Sequence, residues 1–119
     1  MGRIVHFEMP SDKPEELLEF YKTVFGWSGQ KWGANDYWLL DTGNTRNPAI
    51  NGAISKKNEQ LQCVVNTINV DDIAKSISLV GTNGGTVLTE IMDIPKVGKI
   101  AYFKDPEGNT FGLIEDVET

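Results

Sequence analysis

Two helical segments, each preceded by one strand-like run and followed by several, constrain the fold of this chain more than any other feature. The segment "SDKPEELLEFYKTVFGW" places apolar residues at helical spacing. We expect Asp12 to cap this helix, Glu15 to complete a capping box and Gly26 to end it in the left-handed conformation. The segment "DDIAKSISLVGTNGG" predicts a second helix with Ile73 and Ile77 on one side.

The strand-like runs repeat in the same order around both helices. They are "RIVHFEM" and then "WSGQKW", "DYWLLD" and "AINGAIS" in the first half, and "LQCVVNTINV" and then "TVLTEIMDI", "GKIAYFK" and "NTFGLIE" in the second. Each half therefore reads β-α-β-β-β over roughly 55 residues. This pattern predicts an α+β fold and one domain, 1–119, made of repeat halves of about 3–56 and 61–117.

Composition narrows the function classes. The 119 residues carry a formal charge of −6, which argues against nucleic-acid binding because phosphate contacts need clustered Lys and Arg. No apolar run reaches membrane-spanning length, so we expect no membrane partner and a cytoplasmic location. The single cysteine, Cys63, cannot form an internal disulfide and is expected to be buried.

The first strand carries the candidate titrating groups. Strand alternation puts His6, the only histidine, on the same face as Glu8. An imidazole beside a carboxylate facing a cavity is a general acid/base unit. The alternative is a structural histidine bonded to a neighbouring backbone group, with Glu8 at a solvated rim.

The last strand contains an unexplained glycine. Phe111 and Leu113 share one face and should pack on a helix, so Gly112 lies on the opposite face. The connection "DPEG" is typical of a type I turn. A hairpin closed symmetrically around it pairs Tyr102 with Gly112, and the ring would then cover the space left by the glycine.

Four aromatic residues offer a second interpretation, in which the protein binds a ligand without changing it. Trp27, Trp32, Tyr37 and Trp38 could contact a planar or cationic ligand, although core packing should account for at least half of them. Because Tyr37 and Trp38 point to opposite faces of their strand, only one of them can face the site.

The motifs "VHFEMPSDKPEELLEFYKTVFGW" and "AYFKDPEGNTFGLIE", in this order, resemble the opening and closing segments of the vicinal oxygen chelate superfamily. That superfamily includes glyoxalases, extradiol dioxygenases and bleomycin-resistance proteins. The motifs "HFE", "DYWLL" and "INGAI" are similar to a bacterial glyoxalase-related branch without an assigned reaction. The resemblance implies two modules that form a half-open mixed β-barrel around a cavity, and a homodimer.

Metal-dependent members of this superfamily hold a divalent ion with one His or Glu ligand from each of four strands. The resemblance maps these ligands onto His6, Asn51 or Gly52, Val65 and Gly112. Valine and glycine side chains cannot bind a metal. We therefore expect no cofactor and no glyoxalase I or dioxygenase reaction that depends on a metal, and His6 and Glu8 are the remaining candidate ligands for a divalent ion.

The sequence thus predicts a small-molecule enzyme of the isomerase or lyase type, with a degenerate metal site and acid/base chemistry. The alternative is a sequestration protein of the bleomycin-resistance type. The predicted catalytic residues are His6, Glu8 and Tyr102. The predicted cavity residues are Trp38, Asn51, Gly52, Val65, Thr67 and Gly112.

Overall fold

The computed structural model describes residues 2–117, which divide into two compact units. The N-terminal unit comprises residues 6–65. The C-terminal unit comprises residues 66–117 together with residues 2–5. Each unit contains a mixed sheet and one helix.

The N-terminal unit follows the predicted β-α-β-β-β order. Its elements are β1 (Arg3–Ser11, of which the first three residues belong to the C-terminal unit), α1 (Pro14–Phe25), β2 (Ser28–Lys31), β3 (Tyr37–Asp41) and β4 (Gly52–Lys56). The strands are arranged β2-β3-β4-β1, with β1 parallel to β4 and the other pairs antiparallel. Each strand predicted from the sequence in this half is confirmed.

The start of α1 differs from the expectation. Lys13 occupies the N-cap position and no described side chain caps it, so the predicted capping by Asp12 and the capping box with Glu15 are wrong. Pro14 opens the helix instead, since proline has no N–H to leave unsatisfied in the first turn. The predicted end is confirmed, because Gly26 adopts the left-handed conformation at φ 72°.

One face of this sheet packs against α1 and forms the core of the N-terminal unit. Met9, Trp38, Leu40 and Ile54 are buried there. The half-buried residues that cover them are Phe7, Leu17, Leu18, Tyr21 and Trp27. The register aligns Met9 and Trp38 with Ile54 from either side, so the three side chains project from the same face of the sheet.

The C-terminal unit has one strand more than predicted. Its elements are β5 (Val65–Asn69, whose first residue belongs to the N-terminal unit), α2 (Ile73–Thr82), β6 (Thr86–Val87), β7 (Met92–Ile94), β8 (Gly98–Lys104) and β9 (Thr110–Asp116). The strands are arranged β5-β9-β8-β6, and β7 also pairs with β8.

The extra strand arises because the run "TVLTEIMDI" is interrupted. The hydroxyl Oγ1 of Thr89 accepts a hydrogen bond from the Tyr102 N–H at 3.0 Å, where a regular strand would offer a backbone carbonyl. The pairing then resumes two residues out of register, from Val87–Phe103 to Met92–Ile100. A side-chain hydrogen bond of this kind competes with the strand ladder and cannot be read from β-propensity.

The core of the C-terminal unit confirms the predicted faces of α2 and β9. Ile73, Ala101, Phe103 and Leu113 are buried together, and Ile77, Val80 and Phe111 pack on them. The side chain of Asp72 caps α2 by accepting from Lys75 N–H at 3.1 Å.

Two further observations concern residues outside the cores. Cys63 is exposed, so the expectation that it is buried is wrong. Its segment lies before β5 begins, in a loop rather than in the predicted strand. Between residues 2 and 117, neither helix is long and apolar enough to cross a membrane.

Candidate active site

The candidate site lies on the sheet face of the N-terminal unit that points away from α1. Phe7 and Met9 of β1 face the core, so the alternating residues His6 and Glu8 project from the opposite face. Glu8 is only 5% exposed and His6 is half-buried. The alternative that places Glu8 at a solvated rim is therefore wrong.

Tyr37 of β3 contacts His6 on this face. The hydroxyl of Tyr37 lies 3.3 Å from His6 Nε2, a distance compatible with a hydrogen bond. β4 lies between β1 and β3, and its residue paired with Glu8 is the fully buried Ala53. Its small side chain leaves room on this face for the larger groups on either side.

Burial and charge set the protonation of these groups. Burial lowers the pKa of His6 below its ordinary value, and the nearby negative charge of Glu8 partly offsets this effect. Burial also raises the pKa of Tyr37 far above its ordinary value, and the charge of Glu8 raises it further. At neutral pH the imidazole is therefore neutral and the phenol keeps its proton.

These protonation states define what the group can do. A neutral imidazole can accept a proton, and the carboxylate of Glu8 stabilises the imidazolium that would form. The protonated hydroxyl of Tyr37 can donate a hydrogen bond to an oxygen on which negative charge develops. The arrangement of His6, Glu8 and Tyr37 can thus supply a base, a charge partner for that base and a hydrogen-bond donor.

Ser55 adds an unusual feature to the same face. It pairs with Tyr37 and is 6% exposed, and its Oγ has no hydrogen-bond partner among residues 2–117. A buried hydroxyl without a partner costs stability, so such groups are uncommon in native proteins.

The structure corrects two of the predicted cavity residues. Trp38 lies in the core against α1, on the opposite face from His6, and Tyr37 takes the position that Trp38 was expected to hold. Gly52 also faces the core side, where a Cβ would lie 2.7 Å from the ring of Phe7. This glycine makes room for Phe7 and not for a ligand.

The sequence interpretation considered Tyr37 and Trp38 and chose Trp38 for the site, whereas the structure places Tyr37 there. The signal was present in "DYWLLD", where either Tyr37 with Leu39 or Trp38 with Leu40 could face the core. Trp38 and Leu40 are the buried pair, at 6% and 3% exposure. A tyrosine ring ends in a polar hydroxyl, whereas the larger tryptophan ring is easier to bury in an apolar core. This difference favours Tyr37 over Trp38 for the site.

The other positions to which the resemblance assigns metal ligands do not carry side chains suited to binding a metal ion. Val65 is buried at 1% exposure and has no donor atom, and Asn51 Oδ1 already accepts a hydrogen bond from Thr42 N–H at 3.0 Å. Among residues 2–117 no group of three or more His, Cys, Asp or Glu side chains is close enough to hold an ion. The side chains present thus do not form the metal site of the metal-dependent relatives.

The other predicted residues lie together in the C-terminal unit. Tyr102 pairs with Gly112 across the β8–β9 hairpin, which confirms the assumed register. A Cβ at Gly112 would lie 3.3 Å from Tyr102 Cε1 and 3.2 Å from Oγ1 of the buried Thr67. The glycine therefore accommodates the Tyr102 ring and the Thr67 hydroxyl, as the sequence predicts for the ring.

The chain matches a family model over residues 3–113. That model is described as the Glyoxalase/Bleomycin resistance protein/Dioxygenase superfamily. The chain belongs to this superfamily, and the resemblance noted from the sequence motifs is confirmed.

Individual relatives agree with this assignment. A Didymella fabae protein named "Glyoxylase-like domain-containing protein" is 30% identical over 94% of this chain and 92% of its own length. A Mycobacterium bovis protein named "Putative glyoxylase CFP32" is 26% identical over 96% of this chain, which spans only 44% of that relative.

Solved structures show the same fold. A Streptomyces coelicolor methylmalonyl-CoA epimerase variant in complex with 2-nitronate-propionyl-CoA superposes with a TM-score of 0.68. Its identity to this chain is 15%, over 98% of both chains. At this identity the likeness concerns the fold alone, and it confirms the predicted α+β class.

Proposed function

We propose that this protein is a small-molecule enzyme of the isomerase or lyase type, which moves a proton at a carbon atom next to a carbonyl group. The observation that carries the proposal is the 3.3 Å approach of Tyr37 Oη to His6 Nε2, beside the buried carboxylate of Glu8. A base and a donor held in this way are sufficient for such chemistry.

The proposed step uses each group once. The neutral imidazole of His6 takes the proton, and the electron pair of the broken C–H bond forms a C=C bond to the carbonyl carbon. The carbonyl oxygen gains the negative charge and accepts a hydrogen bond from Tyr37. Return of the proton to the other face or to a neighbouring carbon gives an isomerase, and loss of a leaving group gives a lyase.

Two findings support this reaction class. The raised pKa of Tyr37 keeps its proton available for donation, and the lowered pKa of His6 keeps the base neutral at pH 7. In addition, the fold neighbour from Streptomyces coelicolor is named an epimerase, so this fold can host an isomerase, although the likeness assigns no activity to this chain. The proposal includes no metal or other cofactor, because the imidazole supplies the base.

The test is hydrogen–deuterium exchange at the α-carbon of a panel of small ketones and aldehydes, followed by NMR in D₂O. We expect His6→Gln and Tyr37→Phe to reduce the protein-catalysed rate by about 10²–10⁴-fold. Tyr21→Phe is the matched control, because it removes a hydroxyl from the α1 side of the same sheet. Exchange that survives in both site variants would refute the proposal, as would loss of exchange on treatment with a chelator.

Sequestration is the second candidate, and one observation favours it. Trp32 is 38% exposed and lies edge-on to Tyr37, with ring centroids 5.9 Å apart, so an aromatic surface adjoins the site. A ligand that binds tightly and is recovered chemically unchanged would favour this function over catalysis. The predicted homodimer would be tested by light scattering, and the predicted cytoplasmic location by fractionation of cells that produce the protein.

A further inference from the structure

The β2–β3 hairpin extends the face that carries His6 and Glu8. The backbone N–H of Trp32 donates to the carbonyl of Tyr37 at 2.9 Å, which continues the strand pairing one step beyond β2. The Trp32 ring lies against the Tyr37 ring at an angle of 62°. Trp32 is thus on the site face of the hairpin, next to the donor of the proposed reaction.

Leu39 lies on the same face, because it follows Tyr37 by two positions on β3. Leu39 is 43% exposed, whereas Leu40 on the opposite face of the same strand is 3% exposed. The cross-strand partner of Leu39 is Gln30, which carries no charge. The hairpin therefore presents a partly exposed apolar surface beside the acid/base group, and this surface is separate from the core.

We infer that Trp32 and Leu39 bind a flat apolar substituent of the substrate, so the substrate is a carbonyl compound that carries an aryl or similar planar group. This inference rests on the proposed function. The carbonyl would lie against Tyr37 and His6, and the planar group would extend along the hairpin over Trp32 and Leu39. Contact with a planar apolar group removes apolar surface of the indole ring and of the leucine side chain from water, which is favourable. Gln30 is neutral, so it has no charge that would bind an ionic group.

A matched pair of small carbonyl compounds tests the inference. Hydroxyacetone and 2-hydroxyacetophenone have the same reacting carbon and differ by a methyl against a phenyl group. We expect the protein to accelerate exchange in the phenyl compound about tenfold more, after correction for exchange in buffer, as half-burial of a ring predicts. Binding is measured separately, from NMR shift changes on titration with each compound.

The variants identify the surface. Trp32→Ala and Leu39→Ala should remove most of the preference for the phenyl compound, and Trp32→Phe should keep most of it. Phe20→Ala is the control, because Phe20 is an exposed aromatic residue, at 53%, on α1. All three positions are at least one-third exposed, so these four variants should fold.

Each outcome separates the two proposals. If the phenyl compound binds in a Trp32-dependent manner but does not exchange, the proposed reaction is refuted and the subsite stands. If both compounds exchange equally and Trp32→Ala changes neither binding nor preference, the subsite is refuted and the reaction stands. The subsite is also refuted if Trp32→Ala changes only self-association of the chain, since the surface would then bind a second copy.

Discussion

Replacement of Gly112 by alanine tests the role of this glycine in the C-terminal unit. A Cβ would lie 3.2 Å from Thr67 Oγ1 and 3.3 Å from Tyr102 Cε1, so both neighbours would have to move by a few tenths of an ångström. The backbone at Gly112 is not in the left-handed region, so only packing opposes the change.

Three effects determine the size of the change. Overpacking costs about 1–3 kcal/mol, and loss of conformational freedom in the unfolded chain favours alanine by about 0.4–1 kcal/mol. Burial of one methyl group adds a gain of about 0.8 kcal/mol at most. Because both neighbours are held in strands, we expect the cost to exceed the gains and Gly112→Ala to lower the free energy of unfolding by about 1 kcal/mol.

The assay is urea unfolding of the single and double variants. Thr67→Ala removes the nearer of the two contacts, so the double variant should be more stable than the sum of the single effects by about 0.5–1.5 kcal/mol. Tyr102→Phe keeps the ring and serves as the control, with no expected coupling. The reasoning fails if Gly112→Ala stabilises the protein, or if its effect is additive with that of Thr67→Ala.

Three further predictions concern single positions. Lys96 has φ 67° at the third position of the Ile94–Val97 turn, so Lys96→Gly should raise the free energy of unfolding by about 1 kcal/mol. Lys99→Gly, at an exposed position of β8, should lower it instead. Asp72→Ala removes the cap of α2 and should lower the free energy of unfolding by about 1 kcal/mol. Asp72→Asn should keep most of the stability that the cap provides, and equal losses in the two variants would contradict a capping role. The lowered pKa of His6 means that the unfolded chain binds the proton more readily, so stability should fall as the pH drops below about 6.5. His6→Gln should flatten this part of the profile measured by urea unfolding from pH 7.5 to 5, and a ring titration midpoint at or above 6.5 by NMR would contradict the lowered pKa.

Local sequence signals were sufficient wherever one residue type satisfies a backbone requirement. Gly26 ends α1 in the left-handed conformation, and the order Asp-Pro-Glu-Gly closes the β8–β9 turn with Gly108 N–H donating to the Asp105 carbonyl at 3.0 Å. Because this turn closes the hairpin symmetrically, it also fixes the pairing of Tyr102 with Gly112. The same kind of signal failed at Asp12, because a proline can open a helix without a side-chain cap.

The sequence by itself determined the α+β class, the superfamily and the shared face of His6 and Glu8. The class and the shared face follow from helix and strand periodicity, and the superfamily follows from the order of the motifs, all of which can be read along the chain. Only the tertiary structure decided that Tyr37 and not Trp38 accompanies His6, and that Gly52 makes room for Phe7. The reason is that alternation assigns residues to two faces of a strand, but the choice between the faces depends on which of them the helix covers.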